Sequence, residues 1–484
     1  MNTDILIIGG GVIGCAVARE LSAYQGTITL IERGSDVAEG ASKANSGIVH
    51  AGFDAKIGSV KARLNVEGSK MYEAFCRDVN APYLRPGALV LAFDEEQRQT
   101  VEKLYEQGVA NGVEALEIIG RDRVLELEPN INPAVLCALY APTSGLTSPY
   151  ELTCALADHA AVNGVTFTLE TEAQSIKPEA GGYAVTTNRG VYHTRLLVNC
   201  AGLQSAALHN QLSPRKLEVI PRKGEYYLLD HELVPVFHHT VFQTPTKMGK
   251  GVLVSPTTHH NLLLGPTAED VKDGLDVSTT AAALAMVSEK AALTWPRESL
   301  RTVITTFAGI RAHIAADDFI VGATEGAPGA YEAVGIESPG LSAAPAIART
   351  LREQMVAENN LQPKAAWLPV PHRNKPFSKM DAQERQAAYA ENPAYGSIVC
   401  RCEQVTEAEI RESIRRPVGA RNMDAVKRRT RAGMGRCQGG FCSPRVLEIL
   451  AEELGVDATQ VTKCGGRSNL LVGTIAQAAR KGDA

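Results

Sequence analysis

The residues best placed to do chemistry are four cysteines near the C-terminus, one histidine, one arginine and a run of glycines at the start. Cys400-x-Cys402 and Cys437-x4-Cys442 form two close pairs. Residues two apart in extended chain point to the same side, so Cys400 and Cys402 can reach one centre together. The glycines of Gln438-Gly439-Gly440-Phe441 let the second loop fold around that centre and offer backbone N–H groups to its sulfurs. Four thiolates suit a [2Fe–2S] cluster or a structural zinc ion, and the residues alone leave both open. Arg401, Arg428, Arg429, Arg431 and Arg436 lie near enough in sequence to offset an anionic centre. Cys15, Cys76, Cys137, Cys154 and Cys200 are scattered and read as small buried hydrophobes, while Cys464 is left unassigned.

At the other end, Gly9-x-Gly11-x-x-Gly14 follows the apolar run Ile5–Ile8 and opens a stretch of helical spacing over Val12–Ala23. The first glycine permits a tight turn, the second lets backbone approach a pyrophosphate, and the third lets helix pack on strand. Val12 and Ile13 share that first turn, whose N–H groups face the diphosphate. Glu32, with Arg33 beside it, closes a second strand, Thr27–Ile31, where a carboxylate can accept from ribose hydroxyls. These features specify a dinucleotide without separating FAD from NAD. Gly40–Gly47, with Ser42, Lys43, Asn45, Ser46 and Gly47, is a second small, polar segment able to line a longer cofactor. Gly335-Ile336-Glu337-Ser338-Pro339-Gly340-Leu341-Ser342 precedes an Ala-rich helix with Pro345 in its first turns. A helix N-terminus there stabilises negative charge of the kind a reduced flavin carries, which favours FAD.

These residues need elements to hold them. The N-terminal part alternates strand-like and helix-like segments, the pattern of an α/β domain. A helix is expected over Val60–Cys76, paired strands over Leu84–Phe93, two strands within Gly164–Ala184, and a buried strand ending in the turn Asn199-Cys200-Ala201-Gly202. Strands dominate from Ile220 to Gly322, with one helix near Thr279–Leu293. The expected fold is therefore a Rossmann-type FAD-binding domain (about 1–80, 145–215 and 300–360) interleaved with a β-rich substrate domain (about 81–144 and 216–299). Five prolines between Gln362 and Pro393 mark a wrapping linker, centred on 373–396. Beyond it, Thr406 with Glu409 fits a capping box, Asn422–Ala432 is a second helix, and Ser443-Pro444 opens a third. This small helical domain spans 397–455, with a tail over 456–484.

The glycine fingerprint, Ser42–Gly52, Asn199–Gly202, Phe307-Ala308-Gly309-Ile310-Arg311 and Gly335–Gly340 together resemble the D-amino-acid oxidase superfamily of flavoproteins. Within it the chain is most similar to bacterial glycerol-3-phosphate dehydrogenases and to L-2-hydroxyglutarate dehydrogenases or oxidases, over most of residues 1–370. The resemblance implies FAD contacts at the glycines and polar residues named above and at Ala201, Gly202 and Gly309. It also implies hydride loss from a carbon bearing OH or NH in a small anionic substrate. His50, in the flavin-proximal segment, is then the expected base, with covalent FAD attachment as an alternative role. Arg311 is expected to clamp a carboxylate or phosphate, with a structural salt bridge as its alternative. Lys223 and Tyr226 lie on a segment that borders substrate in relatives and are weaker candidates. The cysteine pattern resembles the BFD-like module, which carries a [2Fe–2S] cluster. Such a module implies electron relay to a partner protein or quinone-linked subunit. Oxidation of an amine or imino acid, and a non-catalytic electron-transfer subunit, are the remaining readings.

Composition sets the limits. A chain of 484 residues exceeds one comfortable core and divides into two or three domains. A net charge of -5 argues against coating nucleic acid or anionic lipid. No signal peptide and no bilayer-length apolar run is visible, so a cytoplasmic home is expected, with peripheral membrane docking left open. Oligomeric state is not legible.

Overall fold

A computed structural model describes residues 1–231, 236–245, 251–296, 300–370 and 375–473. The chain divides into two compact units. The first comprises Met1–Ile31, Ala38–Thr166 and Glu172–Val370, and the second Glu32–Val37, Phe167–Thr171 and Pro371–Ala484.

One sheet of the first unit is built on the opening strand Asn2–Ile8. It pairs in parallel with Ile28–Ile31 on one side and Gly190–Asn199 on the other, placing Ile7 against both Leu30 and Val198. A parallel strand covered on both faces must be apolar throughout, and Ile5, Leu6 and Ile7 are fully buried. The helix Val12–Leu21 packs between helices Pro149–Val162 and Gly340–Asn359. Ala330–Val334 joins this sheet in parallel with Leu197–Asn199. Its last residue precedes Gly335 and the turn into the long helix Gly340–Asn359.

Among the described residues the second sheet has nine strands and is dominated by two long ones, Val219–Leu229 and Val303–Ile314. They run antiparallel with Arg222 opposite Arg311, Gly224 opposite Gly309 and Tyr226 opposite Phe307. Side chains two apart share a face, so these three pairs line one surface and Lys223 and Glu225 the other. Two expectations change here. Val303–Ile314, assigned to the nucleotide-binding domain from sequence, is a strand of this second sheet. Leu84–Phe93 is not a pair of mutually bonded strands. Tyr83–Leu84 joins Gly145–Thr147 in a small third sheet, and Ala88–Ala92 pairs with Cys137–Ala141 and Thr240–Gln243. Gly87, at φ +83, separates the two segments. That third sheet also holds Ile48–Val49 and so fixes the entry to His50.

The second unit is helical. Glu407–Arg415, Met423–Thr430 and Ser443–Leu454 pack around Ile410, Ile414, Val426, Ile449 and Leu450. The capping box of Thr406 and Glu409 is present, and Pro444 falls in the first turn of its helix. The expected linker contains a helix, Ala382–Glu391, started by a second capping box from Asp381 and Glu384. Its prolines lie outside the helix, which is why proline content alone hid it. The expected tail contributes Val461 to the core, and residues 474–484 lie outside the described residues.

Candidate functional site

Three glycines of the opening turn explain the local path. Gly9 has φ +108, a conformation that favours glycine, and a Cβ on Gly14 would sit 1.9 Å from the Gly9 carbonyl oxygen. A Cβ on Gly11 would meet only Ser42 Oγ, at 3.2 Å, so the missing side chain leaves room before the helix. The helix Val12–Leu21 starts at Gly11 without a side-chain cap on its N-cap, and Val12 donates instead to Ser42 Oγ at 2.9 Å. Val12, Ile13 and Gly14 are buried in that first turn.

The loop that supplies Ser42 is shaped by its own polar side chains. Asn45 Nδ2 donates to the carbonyls of Ala41 and Ser42, and Asn45 Oδ1 accepts from Gly47 N–H at 2.9 Å. Lys43 points to solvent, whereas Ser46 is half-buried. A Cβ on Gly309 would lie 1.9 Å from the Ala44 carbonyl oxygen, so the Arg311 strand passes against this loop. Ala201 donates to Asn199 Oδ1 at 3.3 Å, and Gly202 (φ +55) turns the chain into a short helix. Gly335 (φ +71) opens the second loop, and the helix of Gly340, Leu341 and Ser342 again begins without a side-chain cap. Two uncapped helix N-termini and a glycine-lined space fit a long anionic cofactor. Glu32 directly follows the strand Ile28–Ile31 and accepts from Gly34 N–H at 2.7 Å, while Arg33 is exposed.

The Glu337 carboxylate is held by side chains distant in sequence. Its carboxylate accepts from His313 Nδ1 at 2.9 Å and Lys61 Nζ at 3.2 Å, with Asp317 on the same lysine. Burial works to lower the Lys61 ammonium, yet Asp317 and Glu337 outweigh it and leave it raised. Glu337 thus holds the loop around Ile336 through side chains that its own sequence neighbourhood does not reveal.

His50 is buried and fixed from two helices. Its N–H donates to Ser342 Oγ at 2.7 Å, and its carbonyl accepts from Asn65 Nδ2 at 2.6 Å. The ring packs on Phe53 and Phe242 at centroid distances of 4.5 and 5.7 Å. Nδ1 meets Gly52 N–H at 3.3 Å and lies 3.6 Å from Asp54 Oδ1.

Arg311 is half-buried, and its guanidinium lies over Gly224, where a Cβ would be 2.6 Å from Nη2. Nη2 donates to the Thr267 carbonyl at 3.2 Å. Tyr226, on the same face, stacks on Phe307 at 4.7 Å; burial raises its phenol while Arg311 pulls the other way. The structure brings Tyr226 to Arg311 but not Lys223. Lys223 faces the opposite side, buried against Asp276 at 3.1 Å and Glu225 at 3.9 Å. Asp54, Asn65, Phe242 and Thr267 escaped the sequence reading, because none belongs to a spacing motif.

In the second unit the four cysteines converge. Cys400 ends the strand Ile398–Cys400, and Cys442 precedes the helix Ser443–Leu454. Cys402 Sγ lies 3.7 Å from Cys437 Sγ. The Cys442 thiol, hydrogen-bonded to Cys400, pulls Cys400 down to about 6 and is itself pushed up. The backbone N–H of Phe441 foremost, then the Cys402 thiol and the backbone N–H groups of Gly439 and Gly440, hold Cys437 below the ordinary thiol range. Each pair thus favours one thiolate within reach of backbone donors, which suits a sulfur-ligated cluster. By contrast, burial pushes Cys76 and Cys200 up to about 12, as inert structural thiols. The nearby arginines are largely engaged elsewhere. Arg428 and Arg429 grip buried Asp36 at 2.7 and 2.6 Å, and Arg431 pairs with Glu403 at 2.7 Å.

Fold and sites together define a flavin-dependent oxidoreductase with an appended iron–sulfur module. Residues 4–354 match the FAD dependent oxidoreductase (DAO) family, to which the chain belongs, and 398–452 match the BFD-like [2Fe-2S] binding domain. The first domain binds FAD and the second a [2Fe–2S] cluster. A glycerol 3-phosphate dehydrogenase of Caloramator mitchellensis is 46% identical over 97% of this chain and 98% of its own length. A glycerol 3-phosphate oxidase of Mycoplasma pneumoniae is 33% identical over 72% of this chain and 92% of its own. The dithionite-reduced, FAD-bound L-α-glycerophosphate oxidase structure from Mycoplasma pneumoniae superposes with a TM-score of 0.72 and 32% identity, covering 77% of this chain and 100% of that one. No helix among the described residues is long and apolar enough to cross a membrane.

Proposed function

We propose that the protein oxidises sn-glycerol 3-phosphate to dihydroxyacetone phosphate. The observation that carries this reading is the 46% identity to a glycerol 3-phosphate dehydrogenase across both domains. Bound FAD would supply hydride acceptance from the substrate carbon, and a bound [2Fe–2S] cluster would supply one-electron transfer. Gly9, Gly11, Gly14, Glu32, Ser42, Ser46, Gly47, Gly202, Gly335 and Gly340 hold the FAD, chiefly through backbone. Cys400, Cys402, Cys437 and Cys442 ligate the cluster.

His50 receives the hydroxyl proton. Asp54 lies 3.6 Å from Nδ1, the nitrogen that also meets Gly52 N–H, and its carboxylate stabilises the imidazolium formed when His50 takes the proton. Arg311 clamps the phosphate, its guanidinium admitted by Gly224 and steadied by the Thr267 carbonyl. Tyr226 supports that guanidinium, and Lys223 plays a structural role on the far face.

Anaerobic addition of sn-glycerol 3-phosphate, L-2-hydroxyglutarate and an amine to purified holoenzyme tests the reading. Flavin bleaching with the first alone is expected. Bleaching with the carboxylate or the amine instead overturns it, and no bleaching with any substrate favours a non-catalytic subunit.

A further inference from the structure

The turn that follows His50 is held by side chains to which the proposed reaction gives no role. Gly52, Phe53 and Ala55 are buried, yet among the described residues no backbone N–H serves their carbonyls. Buried carbonyls need donors, and one helix supplies them. Asn111 Nδ2 donates to the carbonyls of Gly52 at 3.1 Å and Ala55 at 2.7 Å. Gln107 Nε2 donates to the Phe53 carbonyl at 3.1 Å. Gln107 and Asn111 are four residues apart at the end of the helix Glu95–Ala110, and so share a face. Gly108 lies beside them, where a Cβ would sit 2.8 Å from Phe53 Cβ and 3.2 Å from its Cα. Glycine weakens a helix, and this one admits the turn to within reach of both amides.

Asp54 is the residue that these bonds bracket, and its Oδ1 lies 3.6 Å from His50 Nδ1. Gly52, at the start of the same turn, presents its N–H to that nitrogen. Phe53 and Phe242 pack on the ring, and Ser342 and Asn65 hold its backbone, all without charge. Asp54 brings a charge to the ring, so the path of the turn governs how well an imidazolium is stabilised there. The helix Glu95–Ala110 itself packs on Ala88–Ala92 and Cys137–Ala141, strands of the sheet that also carries Arg311. One sheet therefore fixes the anion clamp directly and the turn beside the base through Gln107 and Asn111.

We propose that Asn111, supported by Gln107, is a positioning residue for proton removal. It holds the Gly52–Ala55 turn so that Asp54 faces the His50 ring, and it acts through that carboxylate rather than on the reacting atoms. The inference rests on His50 being the base, which the His50→Ala variant tests separately.

The test follows flavin reduction in the holoenzyme by sn-glycerol 3-phosphate, with rapid mixing and without oxygen. Asn111→Leu removes two of the bonds at similar volume, and Gln107→Met removes the third at similar length. Asn111→Leu should slow reduction at saturating substrate about tenfold to a hundredfold, with the half-saturating concentration nearly unchanged and FAD retained. Gln107→Met should slow it by a smaller factor. In both, the acidic limb of the rate against pH should move to lower pH, because a carboxylate facing a histidine raises its affinity for the proton. Added to Asp54→Asn, Asn111→Leu should cost little more. Additive losses, an unmoved limb or an unaltered rate in both variants overturns the proposal and leaves His50 as the base. So does loss of FAD from Asn111→Leu with Gln107→Met at full rate, which assigns the amides to folding alone. Full-rate reduction in His50→Ala removes the base itself, and the proposal with it.

Discussion

Asp54 Oδ1 lies 3.6 Å from His50 Nδ1, the same nitrogen that meets Gly52 N–H at 3.3 Å. The two neighbours demand opposite tautomers. The amide needs a bare Nδ1, whereas the carboxylate favours a protonated one and leaves Nε2 free to accept. Asp54→Asn should therefore lower the rate of substrate-driven flavin reduction about 10²- to 10⁴-fold, with little change in substrate KM. Rapid-mixing measurement under anaerobic conditions checks this. An unaltered rate would show that Asp54 does not set the tautomer.

Gly224 makes room for Arg311. A Cβ there would meet Nη2 at 2.6 Å, Pro266 Cβ at 3.0 Å and the Thr267 carbonyl at 3.1 Å. Gly224→Ala should raise the substrate KM as Arg311→Ala does, and cost about 1–3 kcal/mol of stability by overpacking. Arg311→Ala should retain FAD, since its effect is confined to the substrate anion. Steady-state kinetics with flavin-to-protein ratios separates the two; loss of FAD in Arg311→Ala would mean a structural role.

Asp36 is the buried anion beneath Arg428 and Arg429 in the second unit. Asp36→Ala leaves both cations uncompensated and should destabilise that unit by about 3–5 kcal/mol, measured by urea titration of cluster absorbance. Burial tends to raise the Asp36 carboxyl, but Arg429 and Arg428 outweigh it and leave it below its ordinary 3.8. A depressed carboxyl stabilises the fold above its unfolded value and loses that contribution as pH falls through the folded one. The difference in stability between native protein and Asp36→Asn should hence be constant above about pH 5 and shrink as pH falls below 3.8.

Cys437→Ser should abolish the cluster's visible absorbance and leave the flavin bands and substrate bleaching in place. Iron analysis of the native chain should give about two iron atoms per chain and no stoichiometric zinc. Bound zinc with flavin bands alone would overturn the cluster.

Local sequence determined much of this protein. The glycine turn, the capping box of Thr406 and Glu409, and the cysteine pairs are readable because each is governed by neighbours within a few residues. The opening strand was equally plain, since a parallel strand buried on both faces must be apolar throughout. Tertiary structure decided what depends on residues brought together from afar. Strand alternation turned Lys223 away from Arg311 and kept Tyr226 beside it, and only the register of Val219–Leu229 against Val303–Ile314 shows this. Asp36, nearly four hundred residues from Arg429, drew arginines that sequence proximity had assigned to the cluster. Asp54 faces His50 because a helix and a small sheet fold the intervening turn. Periodicity and spacing report which way a side chain points within its element, and only packing reports what it meets there.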